Sequence, residues 1–258
     1  MTALFQDIIF GPVRSRRLGL SLGVNLLPTE SKLCSFDCIY CECGWNGDHR
    51  GARRFHPRET VARLLEERLK RMAADGTPPD VITFAGNGEP TLHPDFEGVI
   101  DDTIALRDAW CPSAKVSVLS NATQLGRDDV VRALRRVDNN LLKLDSAFDE
   151  TVRQINGPQG AYSVERTVEG MRRFEGRLTV QTMFLRGSCD GRPVDNTTER
   201  EVAAWIALLR RIAPRDVMIY SLDRDTPCPT LERVPVEELR QIAARVETET
   251  GIRCSAAG

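Results

Sequence analysis

Thiols pose the first chemical question in this sequence. Cys34, Cys38 and Cys41 are spaced C-x3-C-x2-C, and Cys43 follows two residues after the third, so half of the eight cysteines lie close together. Thiolates are soft ligands that suit zinc or iron–sulfur clusters. A structural zinc site closes with four ligands, and Cys43, His49 or His56 is available as the fourth. A cubane cluster has four irons. Held by three cysteines, it keeps one iron open for a substrate or cofactor, which is the logic of a catalytic metal site. The spacing alone leaves both chemistries open.

A second group of candidates falls just after short apolar runs. Gly86-Asn87-Gly88-Glu89-Pro90 follows the run 81–85. Its glycines permit close approach of backbone to a ligand, and Glu89 offers a carboxylate suited to an ammonium group. Asn121 follows the run 115–119, where an amide both donates to and accepts from a ribose or carboxylate. Lys143 and Asp145 alternate onto one face at the end of the run 140–144. Two charges on a buried strand are costly unless they pair or bind a ligand. Gln181, in the run 178–185, is a polar side chain among apolar ones and needs a partner. Each has a blander reading: a tight turn, an internal ion pair or a buried backbone bond.

These residues need a scaffold that brings strand ends together. Six short apolar runs (22–27, 81–85, 115–119, 140–144, 178–185 and 217–222) alternate with amphipathic patterns. Nearly continuous apolar strands are typical of parallel sheets, and helices between them imply β/α units. Val61, Leu65, Leu69 and Met72 mark one helical stripe, opening at Pro57; Val202, Trp205, Ile206 and Leu209 mark another; Leu239, Ile242 and Val246 mark a third, after Pro235. A full eight-fold barrel typically takes about 250 residues. The expected fold class is therefore α/β, an open, partial (β/α)6 barrel. Residues 1–20 read as a short N-terminal extension and 21–258 as the barrel domain with its C-terminal helix and tail. Ligands bind at the C-terminal ends of such strands, which is where the cysteine loop, the Gly86–Glu89 turn, Asn121, Lys143 and Asp145 fall, while Gln181 lies within its run.

Composition limits the partners. The formal net charge is −2 over 258 residues, which gives no bulk attraction to nucleic acid or to an anionic membrane. No run approaches the length of a membrane span, no secretory signal is visible, and clustered cysteines fit metal binding in a reducing compartment. The expected location is the cytoplasm. Arg14, Arg16 and Arg17 form a local basic group that is either solvated surface or a hold for an anion. Cys111, Cys189, Cys228 and Cys254 read as free thiols rather than ligands of a second cluster.

A CxxxCxxC loop with Tyr40 before its last cysteine, followed by a GEP turn after the second strand, resembles the radical S-adenosylmethionine (SAM) superfamily. The strings FGPVRSRRLG (residues 10–19), SLGVNLLP (21–28) and GNGEPTLHP (86–94) are similar to its branch of iron–sulfur oxidoreductases related to wyosine-base synthases, which act on tRNA. The resemblance implies a 4Fe–4S cluster on Cys34, Cys38 and Cys41, with the amino and carboxylate groups of SAM on the fourth iron. It implies Tyr40 near the adenine, the turn Gly86–Glu89 at the methionine amino group, and Asn121 in contact with SAM. Lys143, Asp145 and Gln181 are further cofactor-binding candidates. It also implies an electron donor such as flavodoxin or ferredoxin. The substrate stays open among an RNA base, a peptide or protein side chain and a small metabolite, since the acidic pI does not favour RNA. The alternative is a zinc-stabilised binding module without redox chemistry.

Overall fold

The computed structural model describes residues 4–15, 19–48, 51, 54–224 and 226–257, so Arg16, Arg17 and His49 lie outside the described residues. In chain order the elements are β1 (Ile9–Ser15), β2 (Gly19–Val24), α1 (Arg58–Ala74), β3 (Val81–Phe84), α2 (Phe96–Trp110), β4 (Lys115–Ser120), α3 (Asp128–Arg136), β5 (Asn139–Lys143), α4 (Asp149–Asn156), α5 (Val164–Arg172), β6 (Thr179–Met183), β7 (Leu185–Cys189), β8 (Arg192–Asp195), α6 (Glu199–Ile212), β9 (Asp216–Tyr220), β10 (Leu231–Arg233), α7 (Val236–Thr250) and β11 (Arg253–Ala257). The main sheet runs β1-β2-β3-β4-β5-β6-β9-β11 and is open, with β1 and β11 as its edges. All neighbours pair in parallel except β1 with β2. The six expected strands are present in the expected order, as an open partial barrel.

Four details differ from the sequence expectation. The run 178–185 is two strands: the chain leaves the main sheet after Met183, and β7 pairs with β8 and β10 in a separate small sheet. A seventh parallel strand, β11, extends the sheet beyond β9. Its sequence, RCSAA, has no apolar run, because an edge strand buries little. Helix α4 was not anticipated. Finally, α1 begins at Arg58, with Pro57 at its N-cap rather than as its first helical residue.

The two sheet faces differ in chemistry because side chains alternate along a strand. Leu22, Ile82, Val116, Leu142, Val180 and Val217 join the helix stripes in one contiguous apolar core. Among them are Val61, Leu65 and Leu69 of α1 and Trp205, Ile206 and Leu209 of α6. The intervening residues, including Thr83, Ser117, Lys143 and Gln181, point to the other, concave face. Local signals set several boundaries. Ser163 and Thr198 cap α5 and α6 by accepting from Arg166 N and Glu201 N. Gly251, with φ of 72°, ends α7 and turns the chain into β11.

The segment before β2 packs along the concave side. Gly23 has no Cβ because the Phe10 ring fills that space: a Cβ there would lie 2.1 Å from it. Phe10 stacks on Phe5 with ring centroids 4.1 Å apart.

Candidate active site

The cysteine loop follows β2 and is held at three places. Leu33 forms an isolated parallel bridge with Gly88, with Leu33 N donating to Asn87 O (2.8 Å) and Glu89 N to Leu33 O (3.1 Å). Asn46 closes the loop on itself: its amide accepts from Cys34 N and donates to Cys34 O and Phe36 O at 3.0–3.2 Å. The end of α4 supplies the third hold. Asp37 N donates to Asn156 O (2.8 Å) and Ile39 N to Ile155 O (3.0 Å).

These holds place the three thiols against nitrogen donors. Cys34 Sγ accepts from Phe36 N (3.4 Å) and from Asn121 Nδ2 (3.6 Å). Cys38 Sγ accepts from Asn156 Nδ2 (3.4 Å). Hydrogen bonds from N–H groups to cysteine sulfur are among the terms that tune iron–sulfur clusters, so this donor set suits one. Among the described residues no three His, Cys, Asp or Glu side chains converge to hold a single metal ion. Cys43 Sγ bonds to Cys41 of the triad and lies 3.6 Å from Gly86 O.

Charge is distributed unevenly around the thiols. The hydrogen bond with Cys43 lowers Cys41 to about 6, against burial and with help from Lys32. The same bond and burial push Cys43 up. Burial raises Cys34, with Glu89 adding to it, and raises Cys38 to about 11. Lys32 is the residue that sequence reasoning missed here. It is 1% exposed, with Nζ donating to Gly44 O (2.7 Å) and Asp37 Oδ1 (3.0 Å). Burial opposes its charge, yet Cys41, Cys34 and Asp37 outweigh that and hold its pKa above the usual lysine value.

The turn after β3 does two jobs. Glu89 is buried, and its carboxylate receives four hydrogen bonds: Oε1 from Thr91 N (3.0 Å), Thr91 Oγ1 (2.5 Å) and Ser120 Oγ (2.9 Å), and Oε2 from Asn121 N (2.6 Å). Burial pushes its carboxyl above the usual range, against these donors. Asn87 faces the N-terminal segment: its amide pairs with Phe5 N and O at 2.8 and 2.9 Å and donates to Pro28 O at 2.8 Å. The glycines are required by the protein itself. A Cβ on Gly88 would lie 1.9 Å from Leu33 O and one on Gly86 2.3 Å from Asn25 Oδ1, and both have positive φ.

Asn121, after β4, ties this turn to the cysteine loop, since its Nδ2 also donates to Ser35 Oγ at 2.9 Å. Tyr40, Lys143 and Asp145 form one buried network. Tyr40 OH donates to Asp145 and accepts from Lys143 Nζ (2.8 Å) and Asn156 Nδ2 (3.1 Å). Lys143 Nζ also reaches Tyr220 OH (3.4 Å) and lies 3.6 Å from Asp145 Oδ2. Asp145 Oδ1 accepts from Met183 N at 2.8 Å. Burial opposes the Lys143 charge, but Asp145, Tyr220 and Cys38 raise its pKa above the ordinary lysine value. Burial and Asp145 hold Tyr40 well above the ordinary tyrosine value. Asn156 joins this network to Cys38, and only the placement of α4 reveals it.

Gln181 lies deeper, on β6, paired in register with Lys143 on one side and Met218 on the other. Arg14 is exposed on β1. Cys189 and Cys228, read from sequence as free thiols, are joined as a disulfide with Cα atoms 5.5 Å apart, because β10 pairs with β7 and brings the loop before it alongside. Cys111 and Cys254 are buried apart from the site.

The radical SAM superfamily profile matches residues 31–195, a span that holds the cysteine loop, the GNGEP turn and the Tyr40 network. The chain therefore belongs to the radical SAM superfamily. It is 32% identical over 225 residues to a UPF0026 protein of Synechocystis sp., covering 85% of this chain and 77% of that one. It is 34% identical over 185 residues to a UPF0026 protein of Methanocaldococcus jannaschii, covering 70% of this chain; the chain spans 54% of that relative's length. The crystal structure of Streptococcus suis SuiB bound to S-adenosylmethionine shares the fold at 14% identity and a TM-score of 0.63, over 89% of this chain and 49% of SuiB. No helix among the described residues is long and apolar enough to cross a membrane.

Proposed function

We propose that the protein is a radical SAM enzyme in which Cys34, Cys38 and Cys41 hold one 4Fe–4S cluster. When bound, cluster and SAM supply a one-electron reductive cleavage that gives a 5′-deoxyadenosyl radical, which takes a hydrogen atom from the substrate. The observation that carries this reading is the direct tie between the cysteine loop and the turn bearing Glu89, at Leu33–Gly88. It sets a buried carboxylate beside the thiols. Oε2 of Glu89 has one bond, from Asn121 N, among the described residues, so it can still accept from the ammonium of SAM. Asn121 would contact SAM as well, and Tyr40, joined to Cys38 through Asn156, would lie near its adenine. The electron comes from an external donor such as flavodoxin or ferredoxin.

The test is anaerobic reconstitution with iron and sulfide, followed by chemical reduction with SAM present. About four irons per chain and release of 5′-deoxyadenosine are expected. Loss of iron in Cys34→Ala, Cys38→Ala and Cys41→Ala, with retention in Cys43→Ser, completes the assignment. A protein that takes up only zinc and leaves SAM intact would overturn it.

A further inference from the structure

The concave side of the sheet carries a half-open pocket of about 160 Å3. Phe5 and Phe10 wall it on the N-terminal side, and Leu119, Leu141, Met218 and Gln181 on the strand side. An apolar cavity of about 150 Å3 is large enough to admit benzene, so this volume matches a single six-membered ring. The apolar walls give no partner for a charge, and burying an unpaired charge there is costly.

One wall residue breaks the apolar pattern. Gln181 is 5% exposed and lines the cavity, yet among the described residues nothing bonds its side-chain amide. That amide faces the pocket, where it offers donors and an acceptor to an occupant. Ser21 and Thr83, the other polar residues of the wall, bond to each other at 2.8 Å. Their environment asks less of an occupant than that of Gln181.

Position relates the cavity to the reaction site. Gln181 pairs in register with Lys143, whose ammonium reaches Tyr40 and Tyr220. Leu141 of the wall precedes Lys143 by two residues on the same face of β5, so the cavity borders that network. Resting on the radical SAM reading above, we propose that this cavity is the substrate subsite and that it takes one uncharged six-membered ring bearing a carboxamide-like edge, which pairs with Gln181. Phe5 and Phe10 supply the aromatic wall for the ring, and Asn87 holds that wall in place through Phe5.

The probes are nicotinamide, a six-membered ring with a carboxamide, and benzene, the same ring without one. Binding to the anaerobically reconstituted protein is measured by equilibrium dialysis, alongside iron content and SAM cleavage in the same samples. Nicotinamide is expected to bind with a Kd of roughly 1 mM or below, the range open to so small a ligand. Gln181→Leu should weaken nicotinamide about tenfold, the value of one lost hydrogen bond, while benzene binding stays within about twofold. Leu119→Phe should exclude both by filling the space. Gln181→Met is the second variant, used if the Leu variant loses iron or folded structure. The proposal is overturned if the wild-type protein binds neither ring at about 10 mM, or if both Gln181 variants keep full nicotinamide affinity. Ring binding without SAM cleavage would overturn the radical reading and leave the cavity a binding site. SAM cleavage without ring binding would overturn the subsite alone.

Discussion

Lys32 shows at the scale of one residue how the cysteine loop is held. Its ammonium is buried between Gly44 O and Asp37, close to Cys34 and Cys41. Removing one partner of a buried ion pair costs roughly 3–5 kcal/mol. Because Asp37 is partly exposed, Lys32→Met should fall at the low end, about 3 kcal/mol, in denaturant unfolding. The variant should also lose iron faster to a chelator, since the positive charge beside the thiolates is gone. Unchanged stability and chelation would show that the ammonium does not support the loop. Gly88 gives a sharper residue-scale prediction. A methyl group 1.9 Å from Leu33 O cannot be accommodated without moving backbone. Gly88→Ala should therefore break the Leu33 bridge, and iron bound per chain should fall below half that of the wild type.

Elements explain how the edges of the sheet are secured. β11 is short, polar and outermost, and Asp216 of β9 fastens it: the carboxylate accepts from Arg253 (2.5 and 2.7 Å) and from Arg215 Nε (2.9 Å). Burial works against the Asp216 carboxylate, but the two arginines outweigh it and hold its pKa below the usual value. A carboxylate lowered in the folded state adds stability above the unfolded-state pKa, and that stability is lost as pH falls through the folded pKa. Asp216→Asn should thus lower stability at neutral pH and flatten the acid limb of the stability–pH curve, with little difference from wild type at the most acidic end. The effect should be below about 1 kcal/mol, because Arg253 is largely exposed and screened. Urea unfolding across the acid range measures it. At the other edge, Asn87→Ala removes three hydrogen bonds that join the GNGEP turn to Phe5 and Pro28. Amide exchange in residues 5–10 should accelerate, and no acceleration would deny the turn its role in holding that segment.

At the scale of the whole molecule, one apolar core joins the outer sheet face to the helices. Trp205 sits in it at 1% exposure, edge-on to Phe184 and donating from Nε1 to Leu144 O at 3.2 Å. It backs the strand that leads into Asp145. Trp205→Ala should cost about 3–5 kcal/mol, a drop in Tm of roughly 10 °C for a domain of this size. Differential scanning calorimetry reads it directly. The open concave side, by contrast, carries the polar residues and the cavity, so stability and chemistry occupy opposite faces of one sheet.

The sequence by itself determined the strand order, the helix stripes and the chemical character of the cysteine loop, because each is written in local periodicity, spacing and residue type. It also singled out Glu89, Asn121, Lys143 and Asp145 as candidates through their positions after apolar runs. Partners across the fold could not be read this way. Asn87 was a cofactor-binding candidate through the resemblance of its turn, and the bonds of its amide to Phe5 gave no sequence signal. Lys32 and Asn156 gave no signal, since their meaning depends on what the loop and α4 bring within 3–4 Å of them. β11 was invisible because an edge strand needs little apolar sequence, and the Cys189–Cys228 pair because its two loops meet only through β7 and β10. Hydrogen bonds and ion pairs act over a few ångströms, and only tertiary packing sets those distances between residues far apart in the chain.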